Sequence, residues 1–171
     1  YKSYLELHDT KDFKRNINLS NQAIRLAKQQ NDWYSRADFI RLKANAYYLS
    51  GMLDSAGYYY YQALSILDNK AQDILSAKLY NNLGRFNRKV KMYDKSLFFY
   101  DKSFSIYKAT NDLEGVATIY NESGKVYEYL KNYDEAINRY KKSLEIQINR
   151  GDFVGQGYAL EFIGSALLEQ K

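Results

Sequence analysis

The strongest constraint in this sequence is a forty-residue repeat. Ala44, Gly84, Gly124 and Gly164 are all small and equally spaced. Four residues before them stand Ile40, Tyr80, Tyr120 and Leu160, and three residues after them Tyr47, Asn87, Tyr127 and Leu167. Further columns follow: Phe13, Leu53, Tyr93 and Tyr133; Asn16, Ala56, Ser96 and Ala136; Ser20, Tyr60, Tyr100 and Tyr140; Ala23, Ala63, Ser103 and Ser143. Self-similarity at such a period marks an architecture of stacked units, each burying its apolar face on its neighbours.

Spacing inside each unit is helical. Tyr120, Gly124 and Tyr127 follow i, i+4, i+7, as do Ala136, Tyr140 and Ser143. Short polar breaks at Ser50-Gly51, Lys91-Met92 and Lys131-Asn132 divide each unit into two antiparallel helices. A longer connection is expected between units, with Asp32, Asp112 and Asp152 as N-caps and Trp33, Leu113 and Phe153 packed beneath it. A glycine inside a helix costs about 1 kcal/mol against alanine. Glycines repeated at one register therefore imply close packing, with Tyr100 or Tyr140 filling the groove opposite Gly84 or Gly124. The fold class is all-α, in one domain over residues 1–171. Its units run about 1–32 (degenerate, with Tyr4 where a small residue belongs), 33–72, 73–112, 113–152 and 153–171 (first helix only). It reads as a piece of a longer protein.

Composition closes off several chemistries. Hydrophobic residues at 46% and charged residues at 26% suit a packed chain and not a disordered one. There is no cysteine, hence no disulfide framework or thiolate ligand. The one histidine, His8, excludes a multi-histidine metal site. No stretch is long and apolar enough to span a membrane. No signal-peptide pattern is present, and the compartment is unknown. No cofactor or metal is expected. Asp134-Glu135 opens a helix, where carboxylates favour the dipole. Gly155 and Gly157 make no phosphate loop, and Gly115 and Gly155 occupy equivalent packing positions.

The set Tyr120, Gly124, Tyr127, Ala136, Tyr140 and Ser143, with its copies in the two preceding units, resembles the tetratricopeptide repeat family. The resemblance covers essentially the whole chain and is to the long variant of kinesin light chains and bacterial peptide-sensing regulators. Where the family often ends its second helix with proline, Asp68, Lys108 and Ile148 stand here. The resemblance implies a right-handed superhelical solenoid of helical hairpins whose first helices line a concave groove. It implies a non-catalytic scaffold for a protein or extended peptide, the sensing or interaction domain of a bacterial regulator. The alternative is a self-association module, giving a homo-oligomer, in a sensor kinase or assembly protein.

Residues that avoid the packed columns are expected to face the groove. These are Asp38, Arg41, Asn45 and Tyr48; Lys78, Asn81, Asn82, Arg85, Arg88 and Lys89; Thr118, Asn121, Glu122, Lys125, Glu128 and Tyr129; and Tyr158, Glu161, Phe162 and Ser165. The peptide-binding set drawn from them is Arg41, Asn45, Tyr48, Lys78, Asn81, Asn82, Arg85, Arg88, Asn121 and Lys125. Asparagine amides both donate and accept, and so suit a peptide backbone. Arginines suit an acidic segment or free carboxylate, expected near Arg41, Asn45, Asn82 and Arg85. In the carboxylate clamp of chaperone-binding relatives, Arg41, Asn45 and Asn82 match three positions, while Thr118 and Glu122 fill the other two. Direct nucleic-acid binding is not expected: net charge is only +5, and most of the 19 tyrosines (Tyr47, Tyr60, Tyr80, Tyr93, Tyr100, Tyr120, Tyr127, Tyr133 and Tyr140 among them) fall on packing columns. Tyr58 or Tyr59 is expected on the outer surface.

Overall fold

The computed structural model describes residues 13–67 and 73–170, which form eight α-helices. These are α1 (Phe13–Gln29), α2 (Trp33–Leu49), α3 (Leu53–Leu67), α4 (Ile74–Lys89), α5 (Tyr93–Ala109), α6 (Leu113–Tyr129), α7 (Tyr133–Arg150) and α8 (Phe153–Glu169). Tyr4 and His8 lie outside the described residues.

The six described turns share one hydrogen-bonding pattern. The N–H of Met52 donates to Tyr47 O and that of Gly51 to Tyr48 O; Asp32, Met92, Asp112, Asn132 and Asp152 repeat the first bond, and the residue before each repeats the second. This is a Schellman motif, which needs a left-handed residue just past the helix end. Gly51 (φ 80°) and Gly151 (φ 67°) take it freely, whereas Asn31, Lys91, Asn111 and Lys131 adopt φ between 54° and 62°. The longer connection expected between units is therefore absent at residues 30–32, 110–112 and 151–152. At these three joints the preceding helices, α1, α5 and α7, run on to a turn as short as the one inside the hairpin.

Ser35, Gly115 and Gly155 N–H groups donate to Asp32, Asp112 and Asp152 at 2.9–3.0 Å, so the N-caps are as expected. Helix α4 is capped by Asp73, through Ser76 N–H at 3.0 Å. The repeat register points instead to Gln72, so the alignment passes this cap over. Trp33, Leu113 and Phe153 are not packed beneath a connection: they are 38%, 44% and 81% exposed.

The chain divides into two compact units, 1–86 and 87–171, with the boundary inside α4. The first unit buries Ala37, Ile40 and Ala44 of α2, Ala56, Tyr60 and Ala63 of α3, and Leu75, Leu79 and Leu83 of α4. A Cβ built on Gly57 would lie 2.7 Å from the Phe86 ring tip, so α3 and α4 meet through that glycine. The second unit buries Tyr100 and Ile106 of α5, Ala117 and Val126 of α6, and Ala136 and Tyr140 of α7. Here a Cβ on Gly124 would run into the Tyr140 ring, and one on Gly115 into Tyr107. The glycine-against-tyrosine packing read from the repeat is realised at Gly124. Tyr60, Tyr100 and Tyr140 are at most 1% exposed. Burying each contributes on the order of 4 kcal/mol as an upper bound. The other column tyrosines, Tyr47, Tyr80, Tyr93, Tyr120, Tyr127 and Tyr133, are only half-buried.

Candidate functional site

The first-helix face of residues 1–86 is built around Tyr60. Its ring is locked in the core, so its hydroxyl emerges at a fixed point and donates to Asn45 Oδ1 at 3.3 Å. Asn82 Nδ2 donates to the same Asn45 oxygen at 3.2 Å and reaches the Tyr60 oxygen at 3.5 Å. Burial pushes the Tyr60 phenol up to about 12, against the lowering effect of its bond with Asn82 and the nearby charge of Arg85. It thus stays protonated at neutral pH. One turn along α4 from Asn82, the Arg85 guanidinium lies 5.6 Å from the Tyr48 ring centroid. Asn45, Tyr48, Asn81, Asn82 and Arg85 are half-buried, and Lys78 is exposed.

Arg41 departs from expectation. It is 6% exposed, and its Nη2 and Nε donate to Asp38 Oδ1 at 2.6 and 2.9 Å. Residues 40–44 are all buried, because α2 is enclosed by its neighbours at this level. A buried, paired guanidinium is not an open carboxylate receptor. Tyr59 is likewise held inward, stacked 5.3 Å from Tyr47 with Lys43 Nζ 3.9 Å from its ring centroid, while Tyr58 is 64% exposed.

In residues 87–171 the same face is ionic. Arg88 Nη2 pairs with Glu122 Oε2 at 2.6 Å and Lys125 Nζ with Glu122 Oε1 at 3.0 Å. Tyr100, the counterpart of Tyr60, donates to Glu122 Oε2 at 3.3 Å. Glu122 therefore gathers two cations and a phenol, so Arg88 and Lys125 are less available than a basic wall would suggest. Asn121 is half-buried on the same helix. Beyond this cluster a cleft of about 380 Å³ opens, lined by Arg88, Lys125, Glu128, Tyr129, Tyr133, Phe162, Ser165 and Glu169. Burial holds Glu128 above the usual carboxylate range. Burial, then the Glu128 charge, raises the Tyr140 phenol as well.

Among the described residues no group of acidic or histidine side chains could hold a metal ion, and no helix is long and apolar enough to cross a membrane.

A tetratricopeptide repeat family model matches residues 75–149. The fold is a tetratricopeptide-repeat array. The crystal structure of BtubC (BKLC) from P. vanneervenii is similar over 93% of this chain, with a TM-score of 0.85 and 20% identity. The array spans 66% of that protein's chain. A Podosopora anserina protein assigned as a kinesin light chain, with nearly identical TPR-like repeats, is similar over 92% of this chain and 78% of its own, at a TM-score of 0.74 and 14% identity. MamA is similar over 92% of this chain and 90% of its own, at a TM-score of 0.58 and 16% identity. No curated protein matches the array in sequence. At these identities the likeness is one of fold.

Proposed function

We propose that this repeat array is a non-catalytic scaffold that binds a protein or extended peptide on the first-helix face, as the sensing or interaction domain of a bacterial regulator. The observation that carries this reading is the Asn45–Tyr60–Asn82 network. It fixes two half-buried amides, Asn45 of α2 and Asn82 of α4, through the Tyr60 hydroxyl of α3, next to Lys78 and Arg85. Each amide retains hydrogen-bonding groups for a peptide backbone. Preorganisation lowers the ordering cost of binding. A carboxylate would meet Lys78, Asn82 and Arg85, because Arg41 is committed to Asp38.

The test is selection from a displayed random-peptide library, followed by titration of the enriched peptides. Enrichment that Asn82→Ala or Arg85→Glu abolishes, with unchanged helical circular dichroism, supports the reading. No enrichment, or full binding by both variants, overturns it.

Self-association is favoured by a different observation. On α8, Phe153, Val154, Leu160 and Leu168 are 56–81% exposed. Sedimentation at high concentration decides: a dimer dispersed by Leu160→Lys or Tyr58→Lys supports this alternative, and a monomer ends it.

A further inference from the structure

The cleft in residues 87–171 is the place where the repeat breaks its own rule. In the next copy of the repeat, the counterpart of Arg88 is Glu128 and the counterpart of Glu122 is Phe162. In the earlier copy these positions close on each other through the 2.6 Å Arg88–Glu122 ion pair. In the later copy a carboxylate faces a phenyl ring, and the cation is missing from the pattern. The tyrosine column repeats the story. Tyr60 meets Asn82 and Tyr100 meets Glu122, at equivalent positions of successive copies, but Tyr140 meets the Phe162 ring, with centroids 5.3 Å apart. Its fully buried hydroxyl lies instead beside Glu128.

What surrounds this position suits a positive charge. Glu128 and Glu169 both line the cleft, and after burial the Glu169 charge pushes Glu128 further up. Glu128 makes no ion pair with a described residue: Arg88 and Lys125 are near, but both are bonded to Glu122. Three rings form the walls. Tyr129 is braced by stacking on Tyr93 at 5.8 Å, and Tyr133 and Phe162 pack at their backs on the Ala136, Ile137, Tyr140 and Ala166 core. The Phe162 face already receives an ammonium, with Lys125 Nζ 4.4 Å from its centroid. Carboxylates joined to aromatic faces are the donor set that selects a cation and its alkyl stem over a neutral or acidic group.

We propose that this cleft takes a cationic side chain, lysine or arginine, from the bound peptide. It rests on the scaffold reading and sharpens it: the ligand carries a positive residue for the second unit, opposite in sign to the acidic segment expected from the arginines.

The test uses small probes on the whole chain. Nα-acetyl-lysine amide, Nα-acetyl-arginine amide, Nα-acetyl-norleucine amide and Nα-acetyl-glutamate amide are titrated into labelled protein and followed by NMR. Saturable shifts at Tyr129, Tyr133, Phe162 and Ser165 are expected with one or both cations only, weakened at least about tenfold by Glu128→Gln. The lysine and arginine arms show which head group is preferred. Equal response to norleucine or glutamate, no saturable shift, or undiminished binding to Glu128→Gln overturns the proposal. Charge reversal at Arg85 separates the two readings: peptide binding lost in Arg85→Glu but untouched in Glu128→Gln keeps the scaffold and removes the cation pocket.

Discussion

Residues 1–86 and 87–171 carry the same tyrosine column but finish it with different chemistry. In the first unit the Tyr60 hydroxyl meets neutral amides, donating to Asn45 Oδ1, which also accepts from Asn82 Nδ2. In the second, Tyr100 meets a carboxylate that also needs Arg88 and Lys125. The same tyrosine column is buried in both, so the polar face varies without disturbing the fold. The position that meets the tyrosine changes from Asn82 to Glu122 to Phe162, and with its partners that face becomes an amide network, an ion cluster or an open cleft.

Substitutions sharpen this contrast. The largest effect is expected at the glycine contacts. Gly124→Ala presses on Tyr140, which has nowhere to go, and should destabilise by about 3 kcal/mol. Gly57→Ala meets only the tip of half-buried Phe86 and should cost about 1 kcal/mol. Equal losses in urea melts would show that the two units are packed alike. Next, Glu122→Ala strips Arg88, Lys125 and Tyr100 of their common partner and should cost about 2 kcal/mol, more at low salt than at high. Tyr60→Phe removes one neutral donor and should cost about 1 kcal/mol with no salt dependence. A salt-sensitive loss there would contradict a neutral network.

The smallest effect concerns pH. Glu128 is faced by Arg88, Lys125, Tyr140 and Glu169, and burial is the largest influence on it, raising its pKa above the ordinary 4.5. A raised carboxylate lends its stability at low pH and loses it as pH climbs through the folded value. Glu128→Gln should therefore melt higher than the parent at pH 7. That advantage should shrink with acidification and vanish below the ordinary value of 4.5. A difference independent of pH would mean that the carboxylate is not destabilised by burial.

Much of this was legible in the residues. The repeat columns located α2, α4, α6 and α8, the tyrosines that seal the core, and three of the N-caps, because packing repeats whatever the surface does. The length of the inter-unit turns was not, since polar residues alone do not distinguish a Schellman close from a loop. Neither was the burial of Arg41. A helical stripe fixes which way a side chain leaves its own helix, but not how many neighbours enclose it. The Arg88–Glu122 pair was hidden for the same reason: its members sit on separate stripes, one on α4 and one on α6. The cleft did leave a trace, in the exchange of glutamate for phenylalanine between positions 122 and 162.

Because the six described turns close with the same few bonds, duplication or loss of segments meets no obstacle at those joints themselves. The obstacle lies in sidedness. Removing one helix alone would turn every later glycine, asparagine and tyrosine to the wrong flank, so genetic drift in the length of such a chain is confined to whole pairs. Each added pair is then free to rewrite its own surface, and a lineage can acquire new recognition chemistry one copy at a time.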